Sequence, residues 1–325
     1  MKKILVTGAG GFIGTNLVRA LLHDKKYELV LTDKNNPGYD FSALCDSPNK
    51  SLTVYHLDIM NRESVFDIFK NQKIDTCVHL AAEVNVEDSI KYPEKTMDVN
   101  VKGTINVLDA CSHNHIDNFV FASSAAVYGH PTKLPITEED RLGPISPYGI
   151  SKLLAEQHVS SYMNSKKIRN TISLRIFNAY GKGQNGKDVL TNFAKRLSDG
   201  LPPIIRGDGT QKRDFISIID VVKAFKLSIK ALHQKRGSLQ SSPSWIFNIG
   251  TGTSTSINEI AKQMIKISGL NLEPIYQKTK TQGEIKESCA DITKSKKILQ
   301  FFPRNKLQAQ LKNLVKSRVP TAVFE

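Results

Sequence analysis

The sequence feature that most constrains the fold is a glycine-rich segment near the start of the chain. The apolar run from Lys3 to Thr7 predicts a buried strand, and the leucines from Leu17 to Leu22 are spaced as in a helix. Between them, Gly8, Gly11 and Gly14 let the backbone turn tightly and approach a pyrophosphate at the helix N-terminus. Because the motif follows a strand and opens a helix, it predicts a dinucleotide site rather than a turn without a ligand.

Short apolar runs alternate with amphipathic segments through the first half of the chain. Such alternation predicts an α/β protein whose doubly wound parallel sheet carries helices on both faces. The predicted strands are residues 3–7, 28–32, 52–57, 76–80, 118–122 and 171–177.

The second half is less regular and predicts a smaller, C-terminal α+β substrate domain. Trp245 to Gly250 reads as a strand that returns to the main sheet, so we expect the two domains to interleave. The expected division is a dinucleotide-binding domain at 1–177, with segments near 214–232 and 245–250 returning to it, and a substrate-binding domain at 178–325.

The composition is that of an ordinary globular protein. Of the 325 residues, 40% are hydrophobic and 23% are charged, and no apolar run approaches the roughly 20 residues of a membrane span. The first strand begins almost at the initiator methionine, so we expect no signal peptide. Cys45, Cys77, Cys111 and Cys289 match no metal-ligand spacing, which predicts reduced thiols, a cytoplasmic protein and no metal site.

The net charge of +14 raises the alternative of nucleic-acid binding. The basic residues are dispersed along the chain rather than clustered with aromatic residues. We therefore favour a lysine-rich surface with a few cations for anionic ligands, and a nucleic-acid partner is not expected.

Asp33 ends the second predicted strand and indicates which dinucleotide binds. A carboxylate there accepts hydrogen bonds from ribose hydroxyls and repels a 2′-phosphate, which favours NAD over NADP. The neighbouring Lys34 is a counter-signal, because a cation suits a phosphate. The alternative role for Asp33 is that of a turn residue.

Two further strand ends are expected to reach the same site, because ligands bind at the carboxyl edge of such sheets. Asp58 and Ile59 follow the third strand, and the Asp58 carboxylate could accept from an adenine amino group. Ala81 and Ala82 follow the fourth strand, where small side chains would let the chain pass close to the cofactor.

Pro93 to Asn114 predicts a long helix with a polar residue, Asn100, inside it. Asn100 is either a surface residue or a buried one that braces the backbone of the site. Gly103 costs a helix about 1 kcal/mol relative to alanine, so we expect it to answer to close packing.

The segment from Ser123 to Lys152 holds the most chemically suggestive pair. Ser146 is a good N-cap residue and Pro147 suits the first helical position, so Tyr148 and Lys152 share one face of the helix that starts there. An ammonium beside a phenol favours the phenolate and lowers the pKa of the tyrosine, which makes it a base that works near neutral pH.

Nine motifs extend these observations over most of the chain. They are TGAGGFIG at 7–14, Asp33, LDI at 57–59, HLAA at 79–82, DVNVKGT at 98–104, SSAAVYG at 123–129, YGISK at 148–152, LRIFNAYG at 174–181 and RDFISIID at 213–220. With these motifs in this order, the chain resembles the extended short-chain dehydrogenase/reductase family. Within it, the chain resembles the NAD-dependent nucleotide-sugar epimerases of the UDP-glucose 4-epimerase type, whose fold is Rossmann-like.

The resemblance implies the roles of the site residues. Tyr148 matches the catalytic base, Lys152 matches its partner that also grips the nicotinamide ribose, and Ser124 matches the hydroxyl that hydrogen-bonds the reacting sugar oxygen. Ser123 is implied to line the same pocket. The positions that match cofactor contacts or adjoin them are Gly8, Gly11, Phe12, Ile13, Gly14, Asp33, Asp58, Ile59, Leu80, Ala81, Ala82, Asn100, Tyr148 and Lys152.

The substrate residues implied by the resemblance lie mostly in the second half. Asn178 matches a substrate contact, Arg213 matches a diphosphate ligand, and Ser288 matches a position whose small size leaves room for an N-acetyl group. A second diphosphate arginine of the family is replaced by Thr281. Arg206 and the lysines at 278 and 280 are the candidates to supply that charge.

The resemblance also narrows the reaction. Related dehydratases carry Asp-Glu where this chain has Ala125 and Ala126, so 4-epimerisation through a 4-keto sugar is implied. The expected substrates are UDP-glucose and UDP-galactose, with room for the N-acetylhexosamine sugars, and UDP-glucuronate 4-epimerase is the alternative. A homodimer formed through 93–114 and 147–164 is also implied. An alternative of another class, a non-catalytic NAD sensor, would need no base such as Tyr148.

Overall fold

The computed structural model describes residues 1–24, 26–35, 52–184, 188–234, 245–278 and 285–316. The strands are β1 (Lys2–Thr7), β2 (Tyr27–Asp33), β3 (Leu52–His56), β4 (Thr76–His79), β5 (Asn118–Ser124), β6 (Asn170–Ile176), β7 (Asn178–Tyr180), β8 (Ile204–Arg206), β9 (Lys212–Ser217), β10 (Trp245–Ile249), β11 (Ser254–Ser256), β12 (Ile275–Gln277) and β13 (Glu287–Ser288).

The helices alternate with these strands. They are α1 (Phe12–His23), α2 (Arg62–Gln72), α3 (Val86–Lys91), α4 (Pro93–Met97), α5 (Gly103–His113), α6 (Pro147–Asn164), α7 (Val189–Ser198), α8 (Ile218–His233), α9 (Ile257–Ser268) and α10 (Leu307–Lys316). Within these described ranges, we find no helix with the length and apolar character that crossing a membrane requires.

Seven strands form one sheet in the order β10-β6-β5-β4-β1-β2-β3. Every neighbouring pair in it is parallel. The predicted doubly wound α/β fold is confirmed. Strand β10 lies at one edge of the sheet, beside β6, although 68 residues lie between Ile176 and Trp245 in the chain.

Each strand contributes side chains to both faces of the sheet, because successive residues point in opposite directions. A separate apolar core covers each face. Ile4 and Val6 are fully buried in a core that includes Leu17 of α1 and Phe225 of α8. Leu5 lies between them and packs in a second core, with residues of α2, α5 and α6. Both layers hold the carboxyl ends of the strands at one edge.

The second half adds a smaller unit over that edge. Strands β11, β9 and β13 lie side by side, β7 also pairs with β9, and β12 pairs with β8. Helices α7, α9 and α10 enclose a separate apolar core with Tyr180 and Phe215. The domain division at residue 177 stays a prediction.

The helix expected at 93–114 is interrupted by a wider turn. Asp98–Lys102 has π-helical spacing between α4 and α5, a feature that often marks functional positions. Gly103 is the first residue of α5, and a Cβ there would lie 2.6 Å from Cδ1 of Ile59. The expected close packing at Gly103 is therefore confirmed.

Candidate active site

The glycine segment forms a tight loop at the carboxyl end of β1. Gly8 has a φ of +67°, and a Cβ there would lie 2.6 Å from the backbone nitrogen of Ala81. A Cβ on Gly14 would lie 2.2 Å from the Gly8 carbonyl oxygen. The glycines therefore let the loop, α1 and the end of β4 pack closely.

The N-terminus of α1 fits a phosphate group. Gly11 is its N-cap and supplies no side chain, and the first turn contains no acidic residue. The N–H groups of that turn are thus available beside Phe12 and Ile13, which are only half-buried. Such an N-terminus favours an anion through its dipole and its free donors, so the residues present fit a dinucleotide.

Asp33 lies at the end of β2 directly against this loop. Its Oδ2 accepts a hydrogen bond of 2.9 Å from the backbone nitrogen of Gly10. The neighbouring Lys34 reaches across to Glu83, with Nζ 2.5 Å from Oε1. The cation that would suit a 2′-phosphate is therefore paired with a carboxylate, which Lys95 also contacts at 3.3 Å.

Two other predicted cofactor positions follow β3. Asp58 is exposed, and its Oδ1 accepts from the Met60 backbone nitrogen at 2.9 Å. Ile59 is 4% exposed and lies beneath Gly103. The structure thus leaves the Asp58 carboxylate at the surface and makes Ile59 part of the packing.

A buried histidine links β4 to the glycine loop. His79 Nδ1 lies 2.7 Å from Thr7 Oγ1, and Nε2 lies 3.0 Å from Thr104 Oγ1. Thr104 donates its own hydrogen to the Asn100 carbonyl oxygen at 2.6 Å. His79 Nε2 is therefore the protonated nitrogen, and burial with the nearby Lys152 charge lowers the pKa of His79 to about 3.

Thr7 also holds the backbone that follows β4. The backbone nitrogens of Leu80 and Ala81 lie 3.2 and 3.3 Å from Thr7 Oγ1. Leu80, Ala81 and Ala82 are partly exposed beside the loop. The structure therefore brings these three predicted cofactor positions next to Gly8.

Asn100 is the buried brace rather than a surface residue, since it is 1% exposed. Its Oδ1 accepts from the Glu83 backbone nitrogen at 2.7 Å, and its Nδ2 donates to the Glu83 carbonyl oxygen at 2.9 Å. The second Nδ2 hydrogen goes to Ser151 Oγ at 2.9 Å. Because both amide hydrogens bind the protein, Asn100 is the buried brace that the sequence left as one of two alternatives.

Helix α6 starts where the sequence predicts. Ser146 is its N-cap and accepts from the Gly149 backbone nitrogen at 3.1 Å, and Pro147 is the first helical residue. This start places Tyr148 in the first turn and Lys152 one turn later. The backbone nitrogen of Tyr148 donates to Ser89 Oγ of α3 at 3.2 Å, which fixes the turn from the other side.

Tyr148 and Ser124 meet at the carboxyl end of β5. Burial raises the pKa of the Tyr148 phenol above its ordinary value of 10.0, and a hydrogen bond with the Ser124 hydroxyl opposes that rise. Ser124 also caps the short helical turn Ala125–Val127 through the Ala126 backbone nitrogen at 3.2 Å. The serine thus connects the phenol to the end of the strand.

Lys152 is buried, and the pKa of Tyr148 is raised rather than lowered, so the expected direction of that pKa is wrong. Its Nζ donates to the Ala122 carbonyl oxygen at 2.9 Å and lies 5.0 Å from the centre of the Phe121 ring. Burial lowers the pKa of Lys152 to about 8. Desolvation by burial is the largest cause of the shift in both pKa values.

Ser123 does not line the site as expected. It is 3% exposed, and its hydroxyl donates to Glu156 Oε2 of α6 at 2.6 Å. Successive strand residues point to opposite faces, so Ser123 faces the side of the sheet that carries α6, while Ser124 meets Tyr148 at the last position of the strand. Sequence reasoning missed Glu156, although its position eight residues after Tyr148 was a usable signal.

Three of the predicted substrate residues gather on the small sheet. Arg213 of β9 lies in register with Ser288 of β13, and Asn178 of β7 lies in register with Phe215 of β9. Asn178 is exposed and Ser288 is 9% exposed. This sheet lies beside the main one, since β7 follows β6 after one residue.

Arg206 lies apart from these three residues. It ends β8, its side chain is 64% exposed, and it pairs with Glu87 of α3. Its charge is therefore partly neutralised, which weakens its expected role as the substitute for the missing arginine. Thr281 and Lys280 lie outside the described residues, whereas Lys278 is exposed.

Residues 4–250 match the model of the NAD dependent epimerase/dehydratase family. The match covers more than half of the chain and includes the glycine loop, Ser124, Tyr148 and Lys152. The chain belongs to this family, the class that its fold and site define.

Within the family, the chain is similar to several UDP-sugar 4-epimerases. UDP-glucose 4-epimerase of Lactobacillus helveticus is 32% identical over an alignment of 323 positions that covers 93% of this chain and 92% of the relative. UDP-glucose 4-epimerase of Thermotoga maritima, solved with UDP-glucose, is 29% identical with a TM-score of 0.84 and 97% of each chain covered. UDP-glucuronic acid 4-epimerase of Bacillus cereus, solved with UDP-glucuronic acid and NAD, is 31% identical with a TM-score of 0.86, covering 97% of this chain and 99% of the other.

Proposed function

We propose that this protein is an NAD-dependent UDP-sugar 4-epimerase that interconverts UDP-glucose and UDP-galactose. The observation that carries the proposal is the meeting of Ser124 and Tyr148 at the carboxyl end of β5. Ala125 and Ala126, in the turn that follows, offer no acid or base for dehydration. The site therefore suits removal and return of one proton at one sugar hydroxyl.

The chain supplies the proton chemistry of this reaction. Tyr148 in its phenolate form takes the proton of the C4 hydroxyl and later returns it, and Ser124 hydrogen-bonds the same sugar oxygen. NAD, when bound, supplies a hydride acceptor for C4 and a positive charge beside the phenol. Because burial of Tyr148 disfavours the phenolate, the base needs such a neighbouring charge, to which Lys152 contributes when it is protonated.

The loop between β1 and α1 supports NAD as the cofactor. The Asp33 carboxylate borders the loop at Gly10 and would accept from ribose hydroxyls. A 2′-phosphate would meet this carboxylate, while Lys34 is held by Glu83. We therefore infer a preference for NAD over NADP.

A substrate with an N-acetyl group or a carboxylate is the open choice within this class. Ser288 is small and in register with Arg213, which supports room for N-acetylhexosamine sugars. The similarity to the Bacillus cereus enzyme makes UDP-glucuronate the second candidate. Arg213 is the candidate diphosphate ligand, because a guanidinium fork suits phosphate oxygens.

Assembly and location follow as further parts of the proposal. We propose a homodimer through the helical run 93–113 and α6, supported by Ile150 of α6, which is 41% exposed. We place the protein in the cytoplasm, supported by the free thiols of Cys77, Cys111 and Cys289 among the described residues. Sedimentation equilibrium of the wild type and of Ile150→Glu tests the dimer.

The decisive experiment is a substrate panel. The purified protein is incubated with NAD and separately with UDP-glucose, UDP-N-acetylglucosamine or UDP-glucuronate, and the nucleotide sugars are separated by chromatography. The proposal expects the C4 epimer of UDP-glucose with no net change in nicotinamide absorbance. A panel in which the wild-type protein forms no C4 epimer from any of the three UDP-sugars rules it out.

A further inference from the structure

A buried polar layer crosses the main sheet one residue below the proposed catalytic serine. Ser123 of β5, Arg175 of β6 and Asn248 of β10 are register partners in adjacent strands. Each is at most 3% exposed. A charged residue at this depth requires a compensating partner.

Glu156 of α6 supplies that partner. Its Oε1 lies 2.6 Å from the Arg175 Nη2 atom, and its Oε2 lies 3.1 Å from Arg175 Nε. The pair is almost completely buried, at 2% and 3% side-chain exposure for Arg175 and Glu156. The remaining Arg175 nitrogen, Nη1, donates to Tyr128 Oη at 2.9 Å and to the Glu138 carbonyl oxygen at 3.1 Å.

The ion pair of Glu156 and Arg175 is connected to the proposed site through Ser123. Glu156 Oε2 accepts the Ser123 hydroxyl at 2.6 Å, and Ser123 is the residue before Ser124. Glu156 also lies on the same helical face as Tyr148 and Lys152, at spacings of eight and four residues. Strand β5 and helix α6 are thus joined at three consecutive strand residues.

The three joints have different parts. Lys152 holds the Ala122 carbonyl, Glu156 holds the Ser123 hydroxyl, and Tyr148 meets Ser124. Only the last joint carries groups that reach the substrate in the proposed reaction. The other two set where the strand end lies relative to the helix.

We propose that Glu156 and Ser123 are a positioning pair that holds Ser124 against Tyr148, with Arg175 as the counter-charge that allows Glu156 to be buried. The proposal rests on the proposed epimerase function for its kinetic consequence and on geometry for its structural one. Ser123 gains a role through Ser124 rather than a contact with the sugar.

Ser123→Ala is the sharpest test. Glu156→Gln would leave the Arg175 guanidinium buried without its counter-charge, so its effect would mix positioning with unfolding. Ser123→Ala removes one hydroxyl, while Glu156 Oε2 still accepts from Arg175 Nε. Ser123→Cys fills similar space with a weaker donor and should give an intermediate effect.

Ser228→Ala is the matched control. Ser228 is fully buried and donates to the Ala224 carbonyl oxygen at 2.9 Å, and its helix α8 packs on the face of the sheet opposite to α6. Both variants therefore remove one buried serine hydroxyl. Thermal unfolding of each variant measures the purely structural part of the change.

The kinetic readout is the split between kcat and KM together with the pH profile of kcat. We expect Ser123→Ala to lower kcat by about tenfold or more, with KM for the UDP-sugar within about twofold of the wild type, because misplaced catalytic groups cost turnover before binding. The limb of the profile that reports Tyr148 should move to higher pH. Ser228→Ala should keep the wild-type profile.

The second readout is independent of turnover. Ultraviolet difference absorbance between each protein and its Tyr148→Phe derivative gives the titration of that phenol. With Ser124 less well placed, the phenol should titrate at higher pH in Ser123→Ala than in the wild type. An unchanged titration and an unchanged pH profile in both Ser123 variants would overturn the proposal. If the wild type shows no epimerase activity, the titration still decides the geometric claim.

Discussion

Asn100 Nδ2 lies 2.9 Å from Ser151 Oγ, and this hydrogen bond ties the widened turn Asp98–Lys102 to helix α6. Ser151 in turn donates to the Tyr148 carbonyl oxygen at 2.8 Å. The same amide holds the Glu83 backbone from both sides. One side chain therefore fixes the end of β4 relative to the first turn of the helix that carries Tyr148.

Asn100→Ala is expected to lower the free energy of unfolding by about 3 kcal/mol, because it leaves buried partners at Glu83 and Ser151 unsatisfied. Urea unfolding measures the change. Asn106→Ala is the control, since Asn106 donates to the Ile59 carbonyl oxygen at 3.0 Å from a half-buried position and should cost about 1 kcal/mol. Equal losses in the two variants would contradict the bracing role.

His79 makes stability depend on acid. Its folded pKa is about 3, against an ordinary value of 6.5, so below pH 6.5 the unfolded chain binds a proton that the folded protein does not. Stability should therefore fall between pH 6.5 and about 3, at up to about 1.4 kcal/mol per pH unit from this group. His79→Gln should flatten that slope relative to the wild type in urea unfolding at several pH values. Identical slopes would show that His79 is protonated in the fold.

Lys152 should trade stability for function. Its pKa is lowered from 10.5 to about 8 by burial, so below pH 8 the fold carries a poorly solvated charge. Lys152→Met is expected to unfold with about 2 kcal/mol more free energy at pH 7, after allowing for the lost bond to Ala122. The gain should shrink as the pH rises from about 8 toward 10.5, where the unfolded chain also loses its proton.

The same variant should lose most of its turnover, because the phenolate of Tyr148 loses a nearby cation. Parallel measurement of urea unfolding and epimer formation checks both expectations. A destabilised Lys152→Met at pH 7 would mean that the hydrogen bond to Ala122 outweighs the desolvation of the ammonium.

Local backbone structure could be predicted from the sequence at positions that accept only a few residue types. Ser146 and Pro147 predicted the start of α6, and Gly8 and Gly14 predicted the tight loop, because few other residues meet those backbone demands. The parallel sheet followed from the alternation of apolar runs. These features depend on neighbours in the chain.

The errors concern properties that depend on distant neighbours. Alternation along β5 puts Ser123, not Ser124, on the face that carries α6. The meeting of Ser124 with Tyr148 depends on how the chain runs at the end of the strand, which alternation does not report. The pKa of Tyr148 was expected to fall because Lys152 was counted and burial was not. Desolvation is set by the packing of whole layers, which no local spacing reports.

Tyr148→Phe separates an enzyme from an NAD sensor. The phenolate oxygen of Tyr148 is the proposed proton acceptor. Its removal should therefore lower kcat by about a thousandfold, which lies within the range of general-base catalysis. The aromatic ring remains in the variant. The backbone of residue 148 also keeps its hydrogen bonds with Ser89 and Ser151. The fold and the NAD affinity should therefore change little.

Three measurements on Tyr148→Phe check this. Chromatography of the nucleotide sugars gives kcat, calorimetric titration gives the affinity for NAD, and thermal unfolding reports the fold. Ser160→Ala is a suitable control, since Ser160 is a half-buried residue of the same helix, three turns further along. If Tyr148→Phe retained wild-type turnover, the base would have to be another group. If it lost NAD and turnover together, the phenol would serve cofactor binding, because a base that acts only on the sugar hydroxyl leaves the binding of NAD intact.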